Sequence, residues 1–231
     1  MTYAAIMPGE RDKRRDTPLT ERLNILYSRL LDRYGDPRWW PAGSTYEVMA
    51  GAVLTQNTAW SNVQKAIANF GGGLSPQAVE AIDGERLKDI IRPAGSFTRK
   101  SLCLKALTAW YACYGYDDER VRRQPMARLR DELLALKGIG PETADSILLY
   151  AFGFPSFVAD AYTLRLCGRY PLDAGGDVHA VKSFFESRIP RDALLYNRFH
   201  ALIVINAKAH CRKKPLCAGC PLYDTCERRG L

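Results

Sequence analysis

The chain has 231 residues, 47% of them hydrophobic, and a formal net charge of +8; at that size it buries a core without staples and reads as an ordinary globular protein. A pI near 9.2 suits a polyanionic partner, because clustered Lys and Arg neutralise phosphates and release condensed counterions, although a merely basic surface has the same composition. No apolar run approaches the roughly 20 residues that span a bilayer, and the opening MTYAAIMPGERDKRRD lacks the apolar core of a secretory signal. A cytoplasmic enzyme with no membrane partner is expected, nucleoid-associated in a prokaryote.

In chain order, residues 1–16 are charged and proline-bearing and are expected to form a mobile tail. Thr17-Pro18 offers an N-cap and a first-turn proline, after which Leu19, Leu23, Leu26 and Leu30 fall on one helical face. Ser44 with Glu47 is a capping box that opens an apolar stretch to Leu54. A further helix is expected over 60–70, stopped by Gly71-Gly72-Gly73, and others start at Ser75-Pro76, near Ser96 and at Pro125. No segment sustains a strand-type alternation. The expectation is an all-α chain of helices about 10 to 16 residues long joined by short loops.

The first motif that carries chemistry is Leu136-Lys137-Gly138-Ile139-Gly140-Pro141-Glu142-Thr143-Ala144-Asp145, set between an amphipathic run and an apolar one. Two glycines let backbone amides approach a phosphate, the second helix adds its positive N-terminal end, and Ile139 plugs the hairpin. Such a hairpin holds the DNA backbone without reading sequence, so Lys137, Gly138, Ile139 and Gly140 are candidate DNA contacts. A glycine-capped helix turn is the plain alternative.

The cysteines carry the second. Four of the seven fall in the last 21 residues as Cys211-x5-Cys217-x2-Cys220-x5-Cys226, with Pro215 and Pro221 shaping the turns. Four thiolates so close together are a ligand set for zinc or for a 4Fe-4S cluster. The other three, Cys103, Cys113 and Cys167, lie in helical patterns and are expected to be buried thiols rather than half of a disulfide framework.

Together these segments resemble the helix-hairpin-helix DNA glycosylases, which include endonuclease III. The resemblance runs from about Leu19 to Cys226. It implies two all-α lobes: a six-helix barrel over 44–154, and a second lobe of 17–43 with 155–231 that holds a 4Fe-4S cluster in the loop 211–226, with damaged double-stranded DNA held between them by a monomer. The family hairpin is followed, about twenty residues on, by a catalytic aspartate after small apolar residues, and Phe157-Val158-Ala159-Asp160 fits that place. A carboxylate there stabilises the sugar cation and orients or deprotonates water; a plain N-cap role fits Asp160 too, and both can hold at once.

Two details refine what the resemblance implies. Bifunctional members carry a Schiff-base lysine in the second hairpin helix where this chain has Glu142, and a carboxylate cannot be that nucleophile. Trp39-Trp40-Pro41, the string Gly51-Ala52-Val53-Leu54-Thr55-Gln56-Asn57-Thr58, Trp60, Ile91-Arg92-Pro93-Ala94-Gly95 and the glutamate itself resemble the 3-methyladenine branch. There, Trp39, Trp40, Pro41 and Trp60 would wall a pocket for a flipped cationic purine, with Glu142 and Lys208 beside it. Gln56, with Asn57, would fill the gap left in the duplex. Core packing is the plain alternative for any one tryptophan. The cysteine loop resembles that of endonuclease III with one residue fewer in its first gap. The expected function is therefore a monofunctional glycosylase for alkylated purines; an endonuclease III-like enzyme for oxidised or deaminated pyrimidines and a non-catalytic DNA-binding protein are the alternatives.

Overall fold

The computed structural model describes residues 18–230 apart from Arg38 and Pro41. The expected tail, the Thr17 cap and the pocket proline Pro41 lie outside the described residues. Among the described residues there are twelve α-helices and no strand, and no helix is long and apolar enough to cross a membrane. In chain order they are α1 (Leu19–Tyr34), α2 (Thr45–Leu54), α3 (Trp60–Ala68), α4 (Pro76–Ala81), α5 (Gly84–Ile90), α6 (Phe97–Ala112), α7 (Asp118–Arg122), α8 (Met126–Ala135), α9 (Pro141–Ser146), α10 (Ala161–Arg169), α11 (Val178–Glu186) and α12 (Ala193–Ala209).

The all-α expectation holds, whereas the expected helix length does not: seven of the twelve run only five to nine residues. Side-chain caps explain the interruptions. Asp83 and Asp117 each accept hydrogen bonds from the amides of the first turn that follows, worth about 1 kcal/mol apiece, and start a fresh helix where the apolar pattern reads as continuous, while Ser75 caps the start the sequence marks. Ser44 Oγ accepts from Glu47 N at 3.1 Å, but Glu47 Oε2 accepts from Gly43 N at 3.2 Å, so the reciprocal arm of the capping box reaches one residue further back. Pro18 precedes the first helical residue of α1 instead of opening it.

Buried side chains fall into two clusters. One gathers residues of α2 to α9, from Tyr46 to Phe152. The other joins Leu23, Leu26 and Leu30 of α1 to Leu149, Phe157, Val158 and the helices α10 to α12. The chain passes between them at Ile147–Ala151, a single π-helical turn that extends α9; the wider turn places Leu148 in the first cluster and Leu149 in the second. Of the three scattered cysteines, Cys103 and Cys167 are buried as expected, but Cys113 is exposed on the last turn of α6, its thiol donating to Ala109 O at 3.3 Å.

A buried polar network crosses the same junction. Asp145 of α9, 1% exposed, accepts from Arg130 Nε and Nη2 of α8 at 2.8 and 3.1 Å and from Ser156 Oγ at 2.7 Å. Lys182 of α11 lies 3.3 Å from the same carboxylate and donates to Glu186 at 2.6 Å, while Glu186 accepts from Phe157 N at 2.8 Å. The hairpin helix is thereby fastened to the segment that leads into Asp160.

Candidate active site

The hairpin between α8 and α9 is built as the glycines demand. Gly138 has φ +100°, a conformation that favours glycine, and a Cβ there would stand 3.3 Å from Cys103 Cβ and Sγ, close enough that Cys103 would have to give by a few tenths of an ångström. Ile139 is buried in the first cluster and its N–H closes the turn on Leu136 O at 3.0 Å. Lys137, Gly138 and Gly140 are what the hairpin turns outward. Gln56 Nε2 donates to Gly138 O at 3.0 Å and Thr143 Oγ1 at 2.9 Å, tying the α2–α3 loop to the hairpin, and Asn57 beside it is exposed with φ +52°.

That loop is held from below by Lys100, which sequence reading passed over. Its ammonium, on a side chain 1% exposed, donates to Leu54 O, Gln56 O and Ala94 O, each at 2.8 Å. Burial, helped by the charge of Arg99, lowers its pKa to about 8.

Asp160 is the N-cap of α10. Its Oδ1 accepts from Thr163 N at 2.7 Å and from Thr163 Oγ1 at 2.9 Å. Oδ2 lies 3.4 Å from His200 Nε2 of α12, without the alignment of a full hydrogen bond. Burial pushes the carboxyl up, but the facing His200 imidazole and the Thr163 bonds outweigh it and hold Asp160 below its ordinary value. His200 Nδ1 is hydrogen-bonded to Tyr150 Oη of the π turn. Glu142, on the first turn of α9, is reached by solvent yet pushed up, chiefly by desolvation and next by the Asp160 charge.

The tryptophans adjoin this centre. Trp40 meets Trp60 edge to face at 5.4 Å, Trp39 edge to face at 5.9 Å, and the Tyr150 ring at 5.3 Å and 49°. Lys208 Nζ sits 5.8 Å from the Trp39 ring and 6.0 Å from Tyr162, two residues past Asp160. The indole N–H groups of Trp39 and Trp40 are enclosed with no acceptor among the described residues. A contiguous chain Trp60, Trp40, Tyr150, His200, Asp160 results, flanked by Trp39, Lys208 and Glu142. Tyr150 and His200 were missed in the sequence because each sits in an apolar run, where an aromatic ring or a lone histidine reads as core, and only the folded chain brings them to Asp160; Tyr162, two residues past Asp160, carries no motif of its own.

At the other end, Cys211, Cys217, Cys220 and Cys226 line one cavity together with Leu166, Arg169 and Asn206. All four are partly buried and none is in a disulfide. No three His, Cys, Asp or Glu side chains among the described residues are drawn together tightly enough to hold a single metal ion. Burial first, and the neighbouring sulfurs' like charge as well, push Cys220 and Cys226 up, so four thiolates there need a cationic centre to discharge them. Arg169 Nη1 donates to Cys211 Sγ at 3.3 Å and Arg228 N to Cys226 Sγ at 3.4 Å, and the buried Asn206 Nδ2 at the cavity wall has no acceptor. A soft donor set ringed by N–H donors fits a thiolate-bound metal group.

An all-α fold with a glycine hairpin, and a buried carboxylate linked through His200 and Tyr150 to a row of tryptophans, suit a protein that excises bases from DNA. Residues 50–191 match the family model described as "HhH-GPD superfamily base excision DNA repair protein", and the chain belongs to that superfamily. It is 43% identical over 211 residues to a Methanocaldococcus jannaschii protein whose name places it among DNA repair glycosylases, covering 89% of this chain and 96% of that one. It is 28% identical to endonuclease III of Haemophilus influenzae, covering 90% and 95%. The solved structure of the Helicobacter pylori 3-methyladenine DNA glycosylase bound to 1,N6-ethenoadenine superposes with a TM-score of 0.71 at 29% identity, covering 84% of this chain and 98% of that one. The chain is thus a DNA glycosylase of base excision repair, and DNA is its partner.

Proposed function

We propose that this glycosylase is monofunctional and excises alkylated purines of the 3-methyladenine type by hydrolysing the N-glycosidic bond. The observation that carries the reading is Glu142, a carboxyl in the second hairpin helix within electrostatic reach of Asp160, on a cleft whose neighbouring wall is Trp39, Trp40 and Trp60. A carboxylate there cannot form a Schiff base, and aromatic faces favour a cationic, electron-poor base. In this mechanism the flipped purine stacks on the tryptophans, the bond to the already positive leaving base breaks, and the ionised Asp160 stabilises the sugar cation and takes a proton from the attacking water. Lys137, Gly138 and Gly140 hold the backbone, with Gln56 and Asn57 on the duplex side. The two core clusters support lobes over 44–154 and over 17–43 with 155–231, a monomer closing on the DNA between them.

The four cysteines would hold a 4Fe-4S cluster, which supplies a structural tie between the C-terminal turn and α10 and α12 and takes no part in bond breaking. Thiols arranged around a cavity rather than on one point suit a polynuclear group better than zinc. Metal analysis finding zinc and no iron, in protein without absorbance near about 400 nm, would remove it. The cysteine loop and the endonuclease III relative favour one second reading, action on oxidised or deaminated pyrimidines. The test is a panel of duplexes, each with one lesion, incubated with and without later alkali. Release of 3-methyladenine with strands intact until alkali supports the proposal; nicking at an oxidised pyrimidine without alkali overturns it, and no release from any duplex points to a non-catalytic DNA-binding protein.

A further inference from the structure

We infer that Tyr150 and His200 are positioning residues for Asp160: the Tyr150 hydroxyl fixes the tautomer of His200 whose Nε2–H faces Asp160 Oδ2, and that contact orients the carboxylate and keeps it charged. The inference rests on reading Asp160 as the catalytic carboxylate, and goes beyond it by assigning the groups that make it competent. The two oxygens of Asp160 are served differently. Oδ1 takes both bonds from Thr163, one turn along its own helix. Oδ2, the oxygen left for chemistry, faces His200 alone among the polar contacts of the described residues. The groups facing Asp160 from the elements packed around it are Thr163 on α10, His200 on α12, Tyr150 in the π turn and Glu142 on α9. Glu142 is a like charge and Asp160 is 7% exposed, so without His200 both burial and Glu142 favour the protonated, inert acid.

The direction of the hydrogen bond follows from what His200 Nε2 faces. A bare Nε2 would turn its lone pair on Asp160 Oδ2, 3.4 Å away, so Nε2 carries the proton. In the neutral imidazole Nδ1 is then the acceptor and Tyr150 Oη, kept protonated by burial, the donor. The same tyrosine ring lies 5.3 Å from Trp40, so Tyr150→Phe keeps the aromatic wall and removes only the donor.

Two measurements test this. Nitrogen NMR of the imidazoles, in a chain with three histidines, reads the tautomer without any substrate; His200 should be protonated at Nε2 in the native protein and lose that preference in Tyr150→Phe. Single-turnover excision from a duplex carrying one 3-methyladenine, or the lesion the panel identifies, is then followed against pH beside thermal unfolding. Tyr150→Phe should melt as the parent does, lose about tenfold in rate near neutrality, and move the acid limb up by roughly one pH unit. His200→Leu should lose more, and His200→Gln, whose amide can donate to Oδ2, should recover part. A loss by the same factor at every pH, an unmoved limb, or an Nδ1–H tautomer in the native protein overturns the inference. Asp160→Asn that still excises would instead remove the catalytic assignment beneath it; Asp160→Asn that fails while both partner variants keep the parental profile overturns the positioning role alone.

Discussion

Replacing Asp145 with Ala strikes the network that joins the hairpin to the segment leading into Asp160. The substitution deletes the acceptor of two Arg130 bonds and of Ser156 Oγ, and leaves the Arg130 guanidinium, 21% exposed, without its carboxylate. Lys182 keeps Glu186 at 2.6 Å, so one of the two cations stays paired and the other does not. Removing one partner of a buried ion pair costs about 3–5 kcal/mol. For a chain of this size, 1 kcal/mol moves the thermal midpoint by roughly 2–4 °C, so the midpoint should fall by about 6–20 °C. Asp145→Asn retains one acceptor oxygen and should fall between. Calorimetry of the three proteins, with single-turnover excision at a temperature where all are folded, is the assay. Excision should fall as well, because Ser156 and Phe157 lie four and three residues before Asp160. A midpoint within 2 °C of the parent would refute the account of this network as the fastening between the two clusters.

Lys100 links stability to pH in a defined direction. Its pKa is about 8 in the folded chain against an ordinary 10.5, so between these values the unfolded chain holds a proton the native chain has shed, and unfolding free energy should rise with pH across that window; denaturant titrations should show the rise, and Lys100→Met should abolish it. Borohydride should trap no protein–DNA adduct with the parent protein, because Glu142 offers no amine; an adduct at a yield matching base release would show that another amine does the work. Trp39, whose one ring partner among the described residues is Trp40 and whose face carries Lys208, should lose about 1–3 kcal/mol of excision on replacement by Ala, the range of base–aromatic stacking, with little change in melting; a collapse of the midpoint with wild-type excision of the surviving fraction would return Trp39 to the core.

The helical class, the hairpin and the cysteine loop were legible because each rests on short-range chemistry: caps, glycines at a positive φ and ligand spacing. Gly138 illustrates it, since the motif places glycine where the hairpin turns through φ +100° and packs closely on Cys103. Helix lengths were less legible, because Asp83 and Asp117 cap inside stretches whose apolar pattern continues. The polar partners of the site were not legible. His200 and Tyr150 lie 40 and 10 residues from Asp160, in apolar runs where local pattern favours core, and only the crossing of α12 past the π turn brings them together. Lys100 is the same case: a lysine on an otherwise amphipathic α6 reads as solvated, and its three carbonyl acceptors come from segments as far as 46 residues away.

The position of Asp160 follows from two constraints that meet on the segment 152–160. Behind it, Ser156 and Phe157 are pinned through Asp145, Lys182 and Glu186; in front, the carboxylate itself is held by Thr163 and faces His200. The two sets share no residue, and one works through buried charges while the other works through a phenol and an imidazole. Loss of the first should therefore appear as lower stability with the pH profile unmoved, and loss of the second as a moved profile with stability retained. Because the two perturbations act on different groups, the double variant Asp145→Asn/Tyr150→Phe should unfold with the free-energy loss of Asp145→Asn alone to within about 0.5 kcal/mol. A larger interaction energy would mean that the carboxylate and its supporting segment respond as one unit, and that the charge on Asp160 is set by the packing between the clusters as much as by His200.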